Sequence, residues 1–294
     1  MELGGVGIWS GQLRADTPEV ADAAAELDEL GYTAMWVPGG HAGDVLGDCR
    51  RLLDASNHAV VATGILNLWV KDAADVAADH HTLTAAHPRR FLLGVGVSHA
   101  VLVDHLSPGA YTQPVRVTRS YLDALDATAT PVPHGELALA ALGPRMLELA
   151  RDRTAGAHPY LVPPEHSAIA RAALGDERLL LPEQAVALAD DADTGRALAR
   201  QHLSIYLQLP NYANNWRRLG FGEDDLADGG SDRLVDTIVA WGDEAAIAAR
   251  VQAHLDAGAD HVCIQVLTEG GFTVVPRAEW RRLAPALVGL RRPT

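Results

Sequence analysis

Lysine is nearly missing from this chain: of its 24 basic residues only Lys71 is one, and the rest are arginine. Chemistry that runs through a lysine Schiff base is thereby all but excluded. Cysteine is scarce as well. Cys49 and Cys263 stand far apart and match no metal or redox spacing, so they read as buried thiols rather than a disulfide. No run approaches the ~18 to 20 unbroken apolar residues of a membrane span. The N-terminus enters a strand-like segment without the basic patch and apolar run of an export signal, which sets the expectation of a cytoplasmic protein. Positive charge is also short. Asp and Glu number 38 and the net charge is −14, which argues against nucleic acid as a partner, since phosphate neutralisation needs a basic surface.

What the chain does have is alternation. Its 294 residues are 48% hydrophobic, and short β-rich runs alternate with helical stretches from end to end. Val6–Trp9 reads as a strand, followed by Thr17-Pro18-Glu19 as a helix start with an N-cap and a proline at its first turn. That helix carries Val20, Ala24, Leu27 and Leu30 and stops at Gly31. Further strands are read at Thr33–Val37, Val60–Leu66, Phe91–Val97, Glu136–Leu142, Gly156–Val162, Leu179–Leu188 and His261–Leu267. Helices fall around Asp48–Asn57, Ala73–Ala86, Val115–Ala127 and Asp243–Ala257. Eight alternating βα units imply a parallel sheet, and the count favours a closed (β/α)8 barrel. One domain over residues 1–294 is expected, since such barrels use ~250 residues, with a helical insertion around 190–233.

In a barrel of this kind the active site is built where strands end at their C-termini. Those places hold Trp9, Gly39-Gly40-His41, Asn67, Ser98-His99, Leu142-Gly143-Pro144, His158 and Tyr160. The set is aromatic, glycine-rich and almost uncharged, which suits a planar ring better than a metal or a phosphoryl-transfer centre. His41 reads either as a rim residue with a function or as an exposed loop histidine, and His99 is equally open. His158 lies within a strand and also reads as a hydrogen-bonded core histidine. His80 and His81 point apart on a helix, with no HExxH pattern, so no metal is expected. Gly94-Val95-Gly96 lacks the third glycine of a dinucleotide fingerprint. Gly143-Pro144 opens a helix whose free N–H groups suit an anion, though the same pair is an ordinary helix start.

Two stretches carry a family resemblance. Glu26-Leu27-Asp28-Glu29-Leu30-Gly31-Tyr32-Thr33-Ala34-Met35-Trp36-Val37 resembles the first helix and second strand of the bacterial luciferase-like superfamily. His87-Pro88-Arg89-Arg90-Phe91-Leu92-Leu93-Gly94-Val95-Gly96-Val97-Ser98 is similar to its fourth strand. Ala141–Ala150 and Gly156–Tyr160 extend the likeness, which is weakest over Asp190–Arg233. Within the superfamily the chain looks most like the F420-dependent oxidoreductases. That resemblance implies a luciferase-like TIM barrel holding coenzyme F420, and a hydride passed between deazaflavin carbon 5 and a small organic substrate.

The resemblance also implies roles. His41 would stand near the reactive face of the ring, and a cis peptide at Gly64-Ile65 would back it. Asn67 would contact the ring edge, and Leu142, Gly143 and Pro144 would seat the phosphate. Trp9, Gly96, Val97, Ser98, Ala141 and Tyr160 complete the cofactor groove. His99 takes the place of a glutamate that is catalytic in the sugar-phosphate dehydrogenase of this branch, so a sugar phosphate is not the expected substrate. His41 or His99 would handle the accompanying proton. Relatives often dimerise, so a homodimer is expected. Two rivals stand beside this reading: an FMN-dependent monooxygenase on the same barrel, and a barrel that binds a flavin or other ligand without catalysis.

Overall fold

The computed structural model describes residues 3–40, 43–101, 103, 109 and 111–293. Its centre is a parallel sheet of 11 strand segments, in the order β10-β9-β11-β1-β2-β3-β5-β6-β7-β8, with β4 beside β5. The segments are β1 Val6–Trp9, β2 Ala34–Val37, β3 Val60–Thr63, β4 Leu66–Asn67, β5 Phe91–Gly96, β6 Leu137–Leu139, β7 Gly156–Ala157, β8 Leu179–Leu180, β9 Glu183–Leu188, β10 Ala240–Gly242 and β11 Val262–Val266. Helices follow the strands in turn: α1 Pro18–Glu29, α2 Val45–Ala55, α3 Ala73–Ala86, α4 Pro114–Asp126, α5 Pro144–Arg153 and α6 Pro164–Leu174. Then come α7 Ala192–Tyr206, α8 Pro210–Arg218, α9 Glu223–Leu226, α10 Asp232–Ile238, α11 Glu244–Asp256 and α12 Arg277–Leu287. None among the described residues is long and apolar enough to cross a membrane.

The strands are apolar on both faces because both faces are covered. Their side chains alternate between two cores, as a period of two requires. Met35, Val37, Val61 and Leu93 pack with helix residues such as Leu27, Leu52 and Val76. Ala34, Trp36, Ala62, Leu92 and Ala138 form a separate inner cluster to which no helix contributes. Trp36, fully buried, fills that interior. It stacks on His158 with ring centroids 4.4 Å apart and donates Nε1–H to His261 Nε2 at 3.1 Å. A third cluster, with Leu203, Tyr212, Trp216 and Leu234, joins α7, α8 and α10 over the chain after β7.

Several expected boundaries move. The sixth strand ends at Ala157 instead of Val162, because Pro159 has no N–H for a ladder and Leu161 takes a positive φ of 54°. The seventh divides into β8 and β9, yet the chain between them keeps its partners: Leu181 N–H donates to Ala157 O at 2.9 Å and Glu183 N–H to Pro159 O at 2.9 Å. On the other side Cys263 N–H donates to Pro182 O at 3.0 Å. The short β10 and the closing α12 were not foreseen. The helical insertion expected around 190–233 is four helices, α7 to α10, the last running on to Ile238, and Pro210 opens α8. Gly94 belongs to packing, for a Cβ there would stand 2.0 Å from Thr63 O.

Candidate functional site

The C-terminal ends of the strands open into a cavity of about 630 Å³, within the usual range for small-molecule sites. Trp9 ends β1 and donates Nε1–H to Gly64 O at 3.0 Å, fixing the floor. The Gly64–Ile65 peptide is cis. Two glycines let this floor close. A Cβ on Gly64 would lie 2.7 Å from Trp9 Nε1, and one on Gly39 would lie 2.3 Å from Ile65 O.

Beside the floor two polar atoms are buried without partners. Asn67 uses Oδ1 to accept Trp69 N–H at 3.1 Å, which leaves Nδ2 unsatisfied. His158 donates Nδ1–H to Leu181 O at 2.7 Å, so Nε2 carries a lone pair with no hydrogen-bond partner among the described residues. Burial lowers its pKa to about 4, which keeps the ring neutral. Buried polar atoms left this way cost free energy that an occupant of the cavity can recover.

The opposite wall comes from α7 and α8. Tyr160 donates to Gln265 Oε1 at 2.6 Å, so the 3.0 Å contact between the Tyr160 and Tyr206 hydroxyls is donated by Tyr206. Burial raises the Tyr206 phenol to about 12 and pushes Tyr160 and Tyr212 well above their ordinary value. These phenols therefore stay protonated near neutrality and do not act as a base. His99 packs against Tyr212 with centroids 5.3 Å apart, and Asn211 Nδ2 lies 3.3 Å from its Nδ1. The same amide reaches Ser98 O and the Tyr111 hydroxyl, each at 3.3 Å, joining α8 to the chain after β5.

The third region is electropositive. Gly143 caps α5, and Arg145 and Arg218 stand at the same end of the cavity. A Cβ on Gly143 would be 3.5 Å from Arg218 Nη2. Neither arginine makes an ion pair among the described residues. No Asp or Glu lines the cavity among those residues, although the chain carries a net charge of −14.

Trp9, Gly64, Ile65, Asn67, Val97, Ser98, His99, Ala141, Leu142, Gly143, Pro144 and Tyr160 are all brought to this cavity. Gly96 is not. A Cβ there would meet Ala140 Cβ and Ile65 Cδ1 at 2.9 Å, so its bareness serves packing behind the wall. His41 lies outside the described residues. Trp69 turns away, donating Nε1–H to Val97 O at 2.9 Å, and Trp216 is buried in the insertion. Sequence reasoning missed Tyr111, Arg145, Asn211 and Arg218. Arg145 follows the Gly-Pro helix start directly, a signal that was there to use; the others come from segments with no pattern of their own. Among the described residues no cluster of His, Cys, Asp and Glu is arranged to hold a metal ion.

No protein-family model matches the chain, and no curated protein matches it in sequence. Solved structures do match in fold. An F420-dependent secondary alcohol dehydrogenase, in complex with an F420–acetone adduct, superposes with a TM-score of 0.75 at 12% identity, over 98% of each chain. This chain shares its fold. The coenzyme F420-dependent tetrahydromethanopterin reductase from Methanopyrus kandleri follows at TM-score 0.74 and 14% identity, over 98% of this chain and 99% of that one. The oxygenating constituent of 3,6-diketocamphane monooxygenase from Pseudomonas putida, a type II Baeyer–Villiger enzyme in complex with FMN, matches at 0.70 and 12%, over 99% and 98%. The structural neighbours are thus F420-dependent enzymes and luciferase-like monooxygenases, on a curled parallel sheet covered by helices.

Proposed function

We propose that this protein is an F420-dependent oxidoreductase acting on a small organic substrate. The observation that carries the reading is the division of one cavity, with no carboxylate among its described lining residues, into a cationic end and a flat floor with two orphaned polar atoms. A planar ring bearing a phosphate tail fits both ends. Asn67 Nδ2 suits a ring carbonyl, and His158 Nε2 suits a ring N–H. We also infer that the sheet closes into a (β/α)8 barrel. The chain from 179 to 188 bonds to β7 on one side and β11 on the other, which supports closure.

When bound, the deazaflavin supplies a carbon centre that gives or takes a hydride. The chain does the rest. Arg145, Arg218 and the N–H groups opening α5 would neutralise the phosphate. The glycine floor and Trp9 would hold the ring flat against the strand ends. Tyr206 and Tyr212 would exclude water from the opposite side, and His99 or His41 would exchange the accompanying proton.

The test is fluorescence titration with F420 and with FMN. F420 is expected to saturate, with FMN at least about tenfold weaker. Arg218→Ala should weaken F420 by about 30-fold, since one charge-assisted hydrogen bond contributes ~2 kcal/mol. Preference for FMN would transfer the protein to the monooxygenase reading, and binding of neither would refute both.

A further inference from the structure

Behind the electropositive end lies a histidine that the reading above does not use. His166 sits in the first turn of α6 and is only 2% exposed. Its Nε2 is 2.9 Å from Leu142 O. A carbonyl oxygen has no proton to give, so Nε2–H must donate. The proton is then spent, and Nδ1 keeps a lone pair, buried and without a partner among the described residues.

We propose that His166 is a positioning residue that aims the Gly143 N–H at an anionic group in the cavity; this rests on the cofactor reading. The argument is peptide geometry. In a planar trans unit the C=O and the following N–H point in opposite directions. Fastening Leu142 O to α6 therefore turns the Gly143 N–H the other way, and both residues line the cavity. That N–H has no acceptor among the described residues. It lies at the turn that Arg218 flanks, where α5 opens with no side chain capping it. Without the histidine the 142–143 unit can rotate, and its carbonyl, which repels anions, can take the place of the N–H.

A role in packing alone leaves the choice of residue unexplained. An apolar side chain would fill the same volume without burying a lone pair that nothing satisfies. Burial lowers the His166 pKa, the bond to Leu142 raises it, and the nearby Arg218 lowers it again.

The experiment compares each ring with and without its phosphate: FMN against riboflavin, and F420 against its phosphate-free deazaflavin core. The readout is the ratio of the two dissociation constants, in wild type, His166→Phe and His166→Gln. His166→Phe should cut the preference for the phosphate-bearing form by about fivefold or more, the size of one net hydrogen bond, and leave the phosphate-free form unaffected. His166→Gln, which keeps an N–H within reach of the carbonyl, should restore most of it. An unchanged ratio in His166→Phe, or equal weakening of both forms, overturns the positioning role while the cofactor reading stands. A wild type that binds neither ring, or that ignores the phosphate, overturns both. If His166→Phe does not fold, the Gly143 amide resonance of 15N-glycine-labelled wild type decides. It must move downfield with the phosphate-bearing ligand and not with its phosphate-free counterpart, and the absence of that difference overturns the proposal.

Discussion

Lowering the pH from 7 to 4 is expected to unfold this protein cooperatively, with the urea midpoint falling most steeply between about pH 6 and 4.5. Besides His166, four histidines are buried outright, and a fifth, His202, is half-buried with its Nε2 enclosed. Burial lowers His80, His158, His202 and His261 to about 4, and His254 to about 3. In the unfolded chain each takes up a proton near 6.5. Between those limits the unfolded state binds more protons than the folded one, so stability falls as pH falls. The loss is about 3 kcal/mol per histidine when complete. Together the five rival the whole stability of an ordinary domain, ~5–15 kcal/mol. Two of the rings show why charging in place is costly: His261 Nε2 already accepts from Trp36, and no acceptor among the described residues faces His158 Nε2. His254 is held between Ser167 Oγ at 2.8 Å and Gln184 Oε1 at 3.0 Å. Circular dichroism at a series of pH values checks this. A midpoint that stays level to pH 4 would mean that these rings are not buried as described.

Glu183→Gln should remove an opposing slope at higher pH. Glu183 is fully buried on β9. One carboxyl oxygen accepts Leu161 N–H at 3.0 Å and the other has no partner. Burial raises its pKa to about 8, offset in part by the Leu161 bond. The folded protein therefore keeps this proton up to about pH 8, while the unfolded chain releases it near 4.5. Across that window stability falls with rising pH by ~1.4 kcal/mol per unit. Glutamine keeps the acceptor for Leu161 and has no proton to lose. The variant should therefore gain about 3 kcal/mol on wild type between pH 5 and pH 7. Parallel stability curves for the two proteins would show that the carboxyl is ionised in the fold.

The sequence was most readable where one residue type answers one local demand. Unbroken apolar runs such as Phe91–Gly96 announce strands covered on both faces, and Thr17-Pro18 announces a helix start that the structure caps with the Thr17 side chain. The residues following the strands were legible for the same reason, because alternation places them at one end of the sheet. Contacts between distant segments were not. Tyr160 reaches Gln265, 105 residues on, and Asn211 reaches Ser98, 113 residues back. No periodicity encodes such meetings. The far wall rests on α7 and α8, whose patterns show amphipathic helices but not what they cover. Gly96 shows the ambiguity of a glycine at a strand end, which serves ligand approach and tight packing equally well. β10 escaped notice because Ala240-Trp241-Gly242 is too short to show a period.

The absence of Asp and Glu from the described lining of the cavity has a kinetic consequence. An anionic ligand approaching this molecule first meets the field of a body with net charge −14, screened only beyond ~8 Å at physiological ionic strength. Attraction begins only within reach of Arg145 and Arg218, which line the cavity. Encounter is therefore slowed at long range while escape is slowed at short range, so the ligand's affinity derives from residence rather than from capture. Added salt acts on the two phases in opposite directions, speeding arrival and loosening the hold.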